Sequence, residues 1–377
     1  MKYRIISRAG AVSIVLLVAG AMIALLIFSS DAAAGVSAGL KGAAGLLVPS
    51  LFPFMALSAF VIRSGMSYRI GLLFSPFTRR IFRLPASCSA AIILSFVGGF
   101  PVGAKCVRLL YDRGSINTVQ AEQMMSFCIC SGPAFLITGV GTLLLHNTAL
   151  GLTLYISQVI SGVITGFAAG RIYSISAFTR QAANTAPESD NELSHKNHDL
   201  ISSFIASVTD AAGSVISLTA MVALFGAFIQ VCDASGVNGL ISQVLSFLGA
   251  ELPFAGNFFY ILTEVTRACS GIAESGAPLW VFAFAAGFGG LCVHFQIFSV
   301  LGDIRISKLR FFMFRLMNAF LSSVIVYIVC RVNPQSVSAS VTFGSTNVEY
   351  TSANLWGAAA LLIMSVLFVL SFRCRQK

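Results

Sequence analysis

The segment SFVGGFPVGAKCVRLL, Ser95–Leu110, decides how this chain is read. Its surroundings are apolar enough to sit in a bilayer, yet Gly98, Gly99, Pro101 and Gly103 interrupt the run and Lys105 places a charge inside it. A backbone broken at membrane depth frees N–H and C=O groups that hydrocarbon cannot satisfy, so such a segment survives only against protein or a water-filled cavity. A second interrupted stretch, ILTEVTRACSGIAESGAP (Ile261–Pro278), carries Glu264, Arg267 and Glu274. The two read as halves of one site.

The chain around them is that of a polytopic membrane protein. Of its 377 residues 56% are hydrophobic and 10% charged, more apolar than a soluble core of this size requires. The net charge of +10 falls in the short segments between apolar runs, and no basic patch is interleaved with aromatics, so no nucleic-acid partner is expected. The nine cysteines show no paired framework; Cys128 and Cys130 form a C-x-C without a second pair at ligand spacing. Neither metal nor cofactor is expected.

The basic start and the apolar run Ala9–Ser30 fit either a cleaved signal peptide or an uncleaved first transmembrane helix; the length of the run and the spans that follow favour the helix. Apolar windows predict crossings at Ala11–Phe28, Lys41–Ile62, Val119–Leu145, Ala149–Gly170, Ser202–Val231, Pro278–Leu301, Phe311–Cys330 and Leu355–Phe372, about eight in all. Counting Lys and Arg in short loops puts both termini in the cytoplasm, provided each interrupted segment returns to the side it entered from. Both are therefore expected to be re-entrant hairpins. GMSYRIGLLFSPFTRRIFRLP, residues 65–85, sets Arg69, Arg79, Arg80 and Arg83 among Leu, Phe and Ile, as a helix lying in the interface would.

The order of segments recurs. A span ending in Ser64–Gly65 leads to an amphipathic stretch closed by Leu84–Pro85; a span ending in Ser235–Gly236 leads to another, closed by Leu252–Pro253. After each comes an interrupted hairpin, a span softened at Cys130–Pro133 or Gly287–Gly290, and a further span. Three crossings per repeat give the second the opposite orientation, and inverted repeats with broken helices are typical of secondary transporters with midplane sites. The expected fold is an all-α polytopic membrane protein: about eight transmembrane helices, two re-entrant helical hairpins and two interfacial helices in an inverted repeat. Its parts are an N-terminal transmembrane helix (1–35), a first repeat (36–173), a cytoplasmic linker (174–200), a second repeat (201–332), and an external loop with a C-terminal transmembrane helix (333–377).

Candidate site residues follow from the breaks. Gly98, Gly99, Pro101 and Gly103 would expose backbone groups to a ligand, and a half-helix beginning near Pro101 would favour an anion. Lys105 either adds its charge to that site or snorkels to the interface. Ser131 and Gly132 lie in the first soft point, and His294 and Gln296 follow the second. His294 is either a satisfied packing residue or a proton relay. On the second hairpin, Glu264 is the candidate for coupling to H+ or Na+, Arg267 its ion-pair partner, and Thr266 and Ser270 polar contacts. No Asp accompanies the serines near His294 in a triad-like pattern, so the chain is not expected to be an enzyme.

VPSLFPF (48–54), GGFPVGAK (98–105), SFCICSGPAFLI (126–137), TEVTRACSG (263–271) and GFGGLCVHFQ (287–296) resemble the YlbJ type of sporulation integral membrane protein, of the nucleoside-recognition or Gate domain family. The resemblance runs from Leu46 to Val329. It implies an arrangement like that of concentrative nucleoside transporters, a multi-pass location in the cell membrane or a forespore membrane, and movement of a small solute, dipicolinate-like or nucleoside-like, during spore formation. It also allows a homo-oligomer. A non-transporting recognition or scaffold component of a spore-membrane assembly is the alternative reading.

Overall fold

The computed structural model describes residues 8–181 and 200–332, and among them every regular element is a helix. The basic start, most of the linker, and the expected external loop and crossing at Leu355–Phe372 lie outside the described residues.

Helix α1 (Arg8–Ile27) is apolar and exposed along most of its length, as a lipid-facing helix would be. At Phe28 the chain turns by 91° into α2 (Ser29–Gly42), which runs through a π-helical turn (Ala43–Leu47) into α3 (Val48–Arg63). The boundary expected at residue 35 thus falls inside a helix. Small residues govern the packing of α2 on α9 (Leu200–Ala234): Gly35 lies against the Gly226 backbone and Gly39 against Val222 and Ala223. Gly-x-x-x-Gly spacing lets two backbones approach where lipid offers no hydrophobic drive.

Two series of elements then follow the same order. In the first, Gly65 (φ 76°, ψ 1°) ends α3 and starts α4 (Met66–Phe77); α5 (Ser89–Gly98) and α6 (Phe100–Asp112) are parted at Gly99; α7 (Thr118–Met125) is separated from a π-helix (Ala134–Leu144) by an unwound stretch; and α8 (Thr148–Gln181) closes the series. In the second, Gly236 (φ 79°, ψ 2°) ends α9 and starts α10 (Val237–Phe247); α11 (Leu252–Thr263) and α12 (Val265–Glu274) are parted at Glu264; α13 (Leu279–Phe288) and α14 (Gly290–Leu301) are parted at Gly289; and α15 (Lys308–Val332) closes it. Left-handed backbone at both helix ends is the conformation only glycine adopts without cost.

Four helical stretches are long and apolar enough to cross a membrane: Thr148–Ser174, Leu200–Ala234, Leu279–Leu301 and Lys308–Val332. Counting each of two sharply bent pairs as one span gives six among the described residues. One of the eight expected crossings, Leu355–Phe372, lies outside the described residues, and another, Val119–Leu145, is not one continuous helix. The run Val119–Leu145 is interrupted by seven non-helical residues, 126–132, and α4 meets α5 at 107°, so apolar sequence is spent on short, bent elements. Helix α10 buries none of its residues, and Arg79, Arg80 and Arg83 after α4 are exposed. The stretch Leu279–Leu301 is 78% buried, against 44% or less for the other three, and so forms the centre of the molecule.

Candidate functional site

The four breaks meet in the middle of the protein. Gly99 (φ 84°, ψ −171°) lies so close to the first unwound stretch that a Cβ on it would stand 3.0 Å from Gly132 N. In the second series a Cβ on Gly290 would stand 3.0 Å from Glu264 N and Thr263 O. Each interrupted pair therefore packs its break on the break of its own series. Contacts also cross between the series: Gly289 faces the Phe100 ring, and Ser131 Oγ donates to Ala286 O at 3.1 Å. Gly103 brings α6 against the Cys128 carbonyl, and Pro101 occupies the first turn of α6, where its missing N–H goes unneeded.

Orphan carbonyls at the end of α13 show how these breaks are satisfied. Ala286 O accepts from Ser131, Gly287 O from Asn318 Nδ2 at 3.4 Å, and Phe288 O pairs with His294 Nε2 at 2.9 Å. Asn318 is held in turn by Gln158 and Ser161 of α8, so a buried polar network ties α8, α13 and α15 together. His294 is ringed edge-on by Phe288, Phe311 and Phe312. Its Nδ1 is buried without a hydrogen-bond partner among the described residues.

Glu264 caps α12. It takes extended backbone (φ −151°, ψ 121°), and its carboxylate accepts from Thr266 N at 2.9 Å and Arg267 N at 2.7 Å. The expected Glu264–Arg267 ion pair is not formed. Breaking the helix at Glu264 turns its carboxylate onto the backbone, while the Arg267 side chain points outward to Glu274 (3.8 Å) and over the Tyr260 ring. Ser270 Oγ donates to Thr266 O.

The cavity lies beside this junction. It measures about 360 Å³ and is lined by Lys105 of α6, by Gln296, Ser299 and Val300 of α14, and by one face of α9 including Thr209, Asp210, Ser214 and Ser217. Of the expected site residues Lys105 and Gln296 line it; Gly98, Gly99, Gly103, Ser131, Gly132, Thr266, Ser270, Glu264 and His294 do not. The residues expected to converge on one cavity are thus divided between a packed junction and an open chamber, because closely apposed glycine backbones leave no room between them.

Lys105 does not stand free. Its Nζ donates to Asp210 Oδ1 at 2.6 Å, and Asp210 Oδ2 accepts from Arg63 Nη2 at 3.0 Å. The side chains of Lys105 and Asp210 are 14% and 28% exposed, so the pair is weakly screened. Arg113 donates to the Ile62 and Arg63 carbonyls and fastens the end of α3 to α6. Two charges escaped the sequence reading. Asp210 interrupts the run Ser202–Val231, and Arg315 sits fully buried in α15, donating through Nη1 to Ile129 O while Nε and Nη2 find no partner among the described residues. An ionisable residue inside an apolar run was the available signal for both.

No family model matches the chain, and no solved structure matches it. Over 307 residues it is 24% identical to the sporulation integral membrane protein YlbJ of Bacillus subtilis (strain 168), a stretch covering 76% of this chain and 74% of that protein. The chain is an all-α, multi-pass membrane protein, and its sequence is similar to the YlbJ type of sporulation integral membrane protein.

Proposed function

We propose that this protein is a transporter-like membrane protein that binds a small anionic solute in the chamber between α6, α9 and α14 and moves it across a membrane during spore formation. The observation that carries this reading is the placement of the Lys105 ammonium on the wall of a 360 Å³ cavity whose remaining polar lining is hydroxyls, an amide and one carboxylate. That volume lies in the range of small-molecule sites. The donors this lining can turn to a compact carboxylate are the Lys105 N–H groups beyond the one given to Asp210 and the Gln296 amide, while the hydroxyls of Thr209, Ser214 and Ser217 donate to their own helix. The likeness to a sporulation protein supplies the setting, and a dipicolinate-like aromatic dicarboxylate is the solute class that joins the two.

The matched breaks support translocation. Broken helices packed on one another are the elements that repeat-built transporters rock against each other, and in this reading α5–α6 and α11–α12 are re-entrant, with both termini cytoplasmic. The site is read as a binding site and not a catalytic one.

Proteoliposomes holding the full chain should accumulate radiolabelled pyridine-2,6-dicarboxylate with saturation, and Lys105→Ala should abolish the saturable component. Absence of saturable flux and of binding in the wild type would sink the proposal, as would unchanged transport in Lys105→Ala. A nucleoside that is carried while the dicarboxylate is not would replace the solute class.

A further inference from the structure

Asp210 is the sole carboxylate, and Lys105 the sole cation, among the described residues lining the chamber. Asp210 sits on a polar stripe of an otherwise apolar helix: Thr209, Asp210, Gly213, Ser214 and Ser217 follow helical spacing along one face of α9. Ser214 Oγ and Ser217 Oγ donate to the carbonyls of Asp210 and Gly213, which leaves the Asp210 carboxylate as the strong acceptor on that wall. Both its oxygens are engaged, Oδ1 by Lys105 and Oδ2 by Arg63.

An anionic solute entering the chamber therefore meets a cation that already holds a tethered anion. The Lys105 ammonium gives one of its three N–H donors to Asp210, so a solute carboxylate that takes the others comes to stand beside the Asp210 carboxylate. Two carboxylates sharing one ammonium repel each other, and a proton on Asp210, which Arg63 still holds by its other oxygen, removes that repulsion.

We propose that Asp210 is a counter-ion whose protonation accompanies anion binding, which makes uptake of the solute proton-linked. This rests on the reading of the chamber as an anion site. One proton passes from water to a carboxylate oxygen of Asp210; Lys105 keeps its charge, and its other N–H donors turn to the solute. Before binding, Arg63, Lys105 and Asp210 sum to one positive charge; with Asp210 neutral they sum to two, which a dicarboxylate matches.

The charged groups around Asp210 are few. Arg63 comes from α3, and Lys105 and Arg113 from α6; Arg108 of α6 is turned to Asp112 and Asp303. The lining residues of α14 are uncharged. On α2, Asp31 and Lys41 lie beside the crossing at Val222–Gly226, about three turns or more along α9 from Asp210. Asp233, at the far end of α9, is held by Tyr260.

Isothermal titration of the full chain in lipid nanodiscs with pyridine-2,6-dicarboxylate, in buffers of differing ionisation enthalpy, reads the number of protons taken up. The wild type should take up close to one proton per ligand, with Kd rising by up to about tenfold per pH unit between about pH 6 and pH 8. Asp210→Asn should bind without proton uptake, at a pH-independent Kd no weaker than that of the wild type at the acid end. Wild-type binding with no proton uptake overturns the proposal by itself, even if Asp210→Asn fails to fold, as does an Asp210→Asn protein that keeps the pH dependence. A wild type that binds no dicarboxylate at any pH overturns the anion-site reading beneath it, whereas pH-independent binding removes only the counter-ion role.

Discussion

Lys105 of α6 and Asp210 of α9, 105 residues apart in sequence, meet at 2.6 Å on the wall of the open chamber. Arg63 completes the cluster from α3, so three helices are joined through one carboxylate.

Removal of the two partners should be unequal. Lys105→Ala leaves Asp210 paired with Arg63, while Asp210→Ala leaves two cations facing each other, so Asp210→Ala should lower the thermal unfolding temperature in detergent more. A double-mutant cycle should return a coupling of about 1–3 kcal/mol between Lys105 and Asp210. A coupling near zero would mean that the contact is not maintained in solution.

Gly99 should resist every substitution. Its backbone (φ 84°, ψ −171°) lies in a region that is essentially glycine-only, and a Cβ would press on Gly132 N. Gly99→Ala should destabilise by about 1–3 kcal/mol from backbone strain, before the steric conflict is counted. Gly213→Ala, in open space on α9, is the matched control and should leave the melting temperature unchanged or raised. Equal melting temperatures for the two variants would show that the Gly99 break is not formed.

Arg315 should be a liability for stability. It is wholly buried, and its hydrogen bond to Ile129 O leaves two of its nitrogens without partners among the described residues. Burying an uncompensated guanidinium costs more than one hydrogen bond returns, so Arg315→Met should raise stability, within the roughly 1–4 kcal/mol seen when buried charges become apolar. A lowered melting temperature would assign the guanidinium a stabilising partner instead.

Arg108 ties the end of α6 to the turn after α14 through Leu301 O and Asp303. The hydrogen bond from Arg108 holds the exposed Asp303 carboxyl below the usual carboxylate range. A carboxylate depressed in the folded state stabilises above its unfolded value and loses that contribution as pH falls through its folded value. The difference in melting temperature between wild type and Asp303→Asn should therefore be present at neutral pH, vanish in acid and shrink with added salt. A difference that grows in acid would contradict the Arg108 contact.

Much of this was legible before folding because hydrocarbon restricts what backbone can do. Apolar length marked Ala149–Gly170, Ser202–Val231, Pro278–Leu301 and Phe311–Cys330 as spans, and glycine and proline marked the breaks. The paired order of Gly65 and Gly236, each followed by a short amphipathic helix, was visible as spacing alone. Apolar content does not report a bend: Val119–Leu145 has the composition of a crossing but unwinds at residues 126–132. The site was half legible. Lys105 and Gln296 were found because they sit beside breaks; Asp210 and Arg315 were missed because they sit inside runs that otherwise read as plain helix.

By itself, the sequence determined that this chain belongs in a membrane, where it is helical, and at which residues its helices fail, since these follow from local composition and the cost of bare backbone polar groups. Only the tertiary structure decided what the breaks do. Each glycine break is filled by the backbone of another break, and Glu264 is turned onto its own helix N-terminus. The chamber opens one step away, where an aspartate from α9 reaches a lysine from α6. Which charges meet depends on how distant helices cross, and helix crossing is a property of packed shapes that no local pattern encodes.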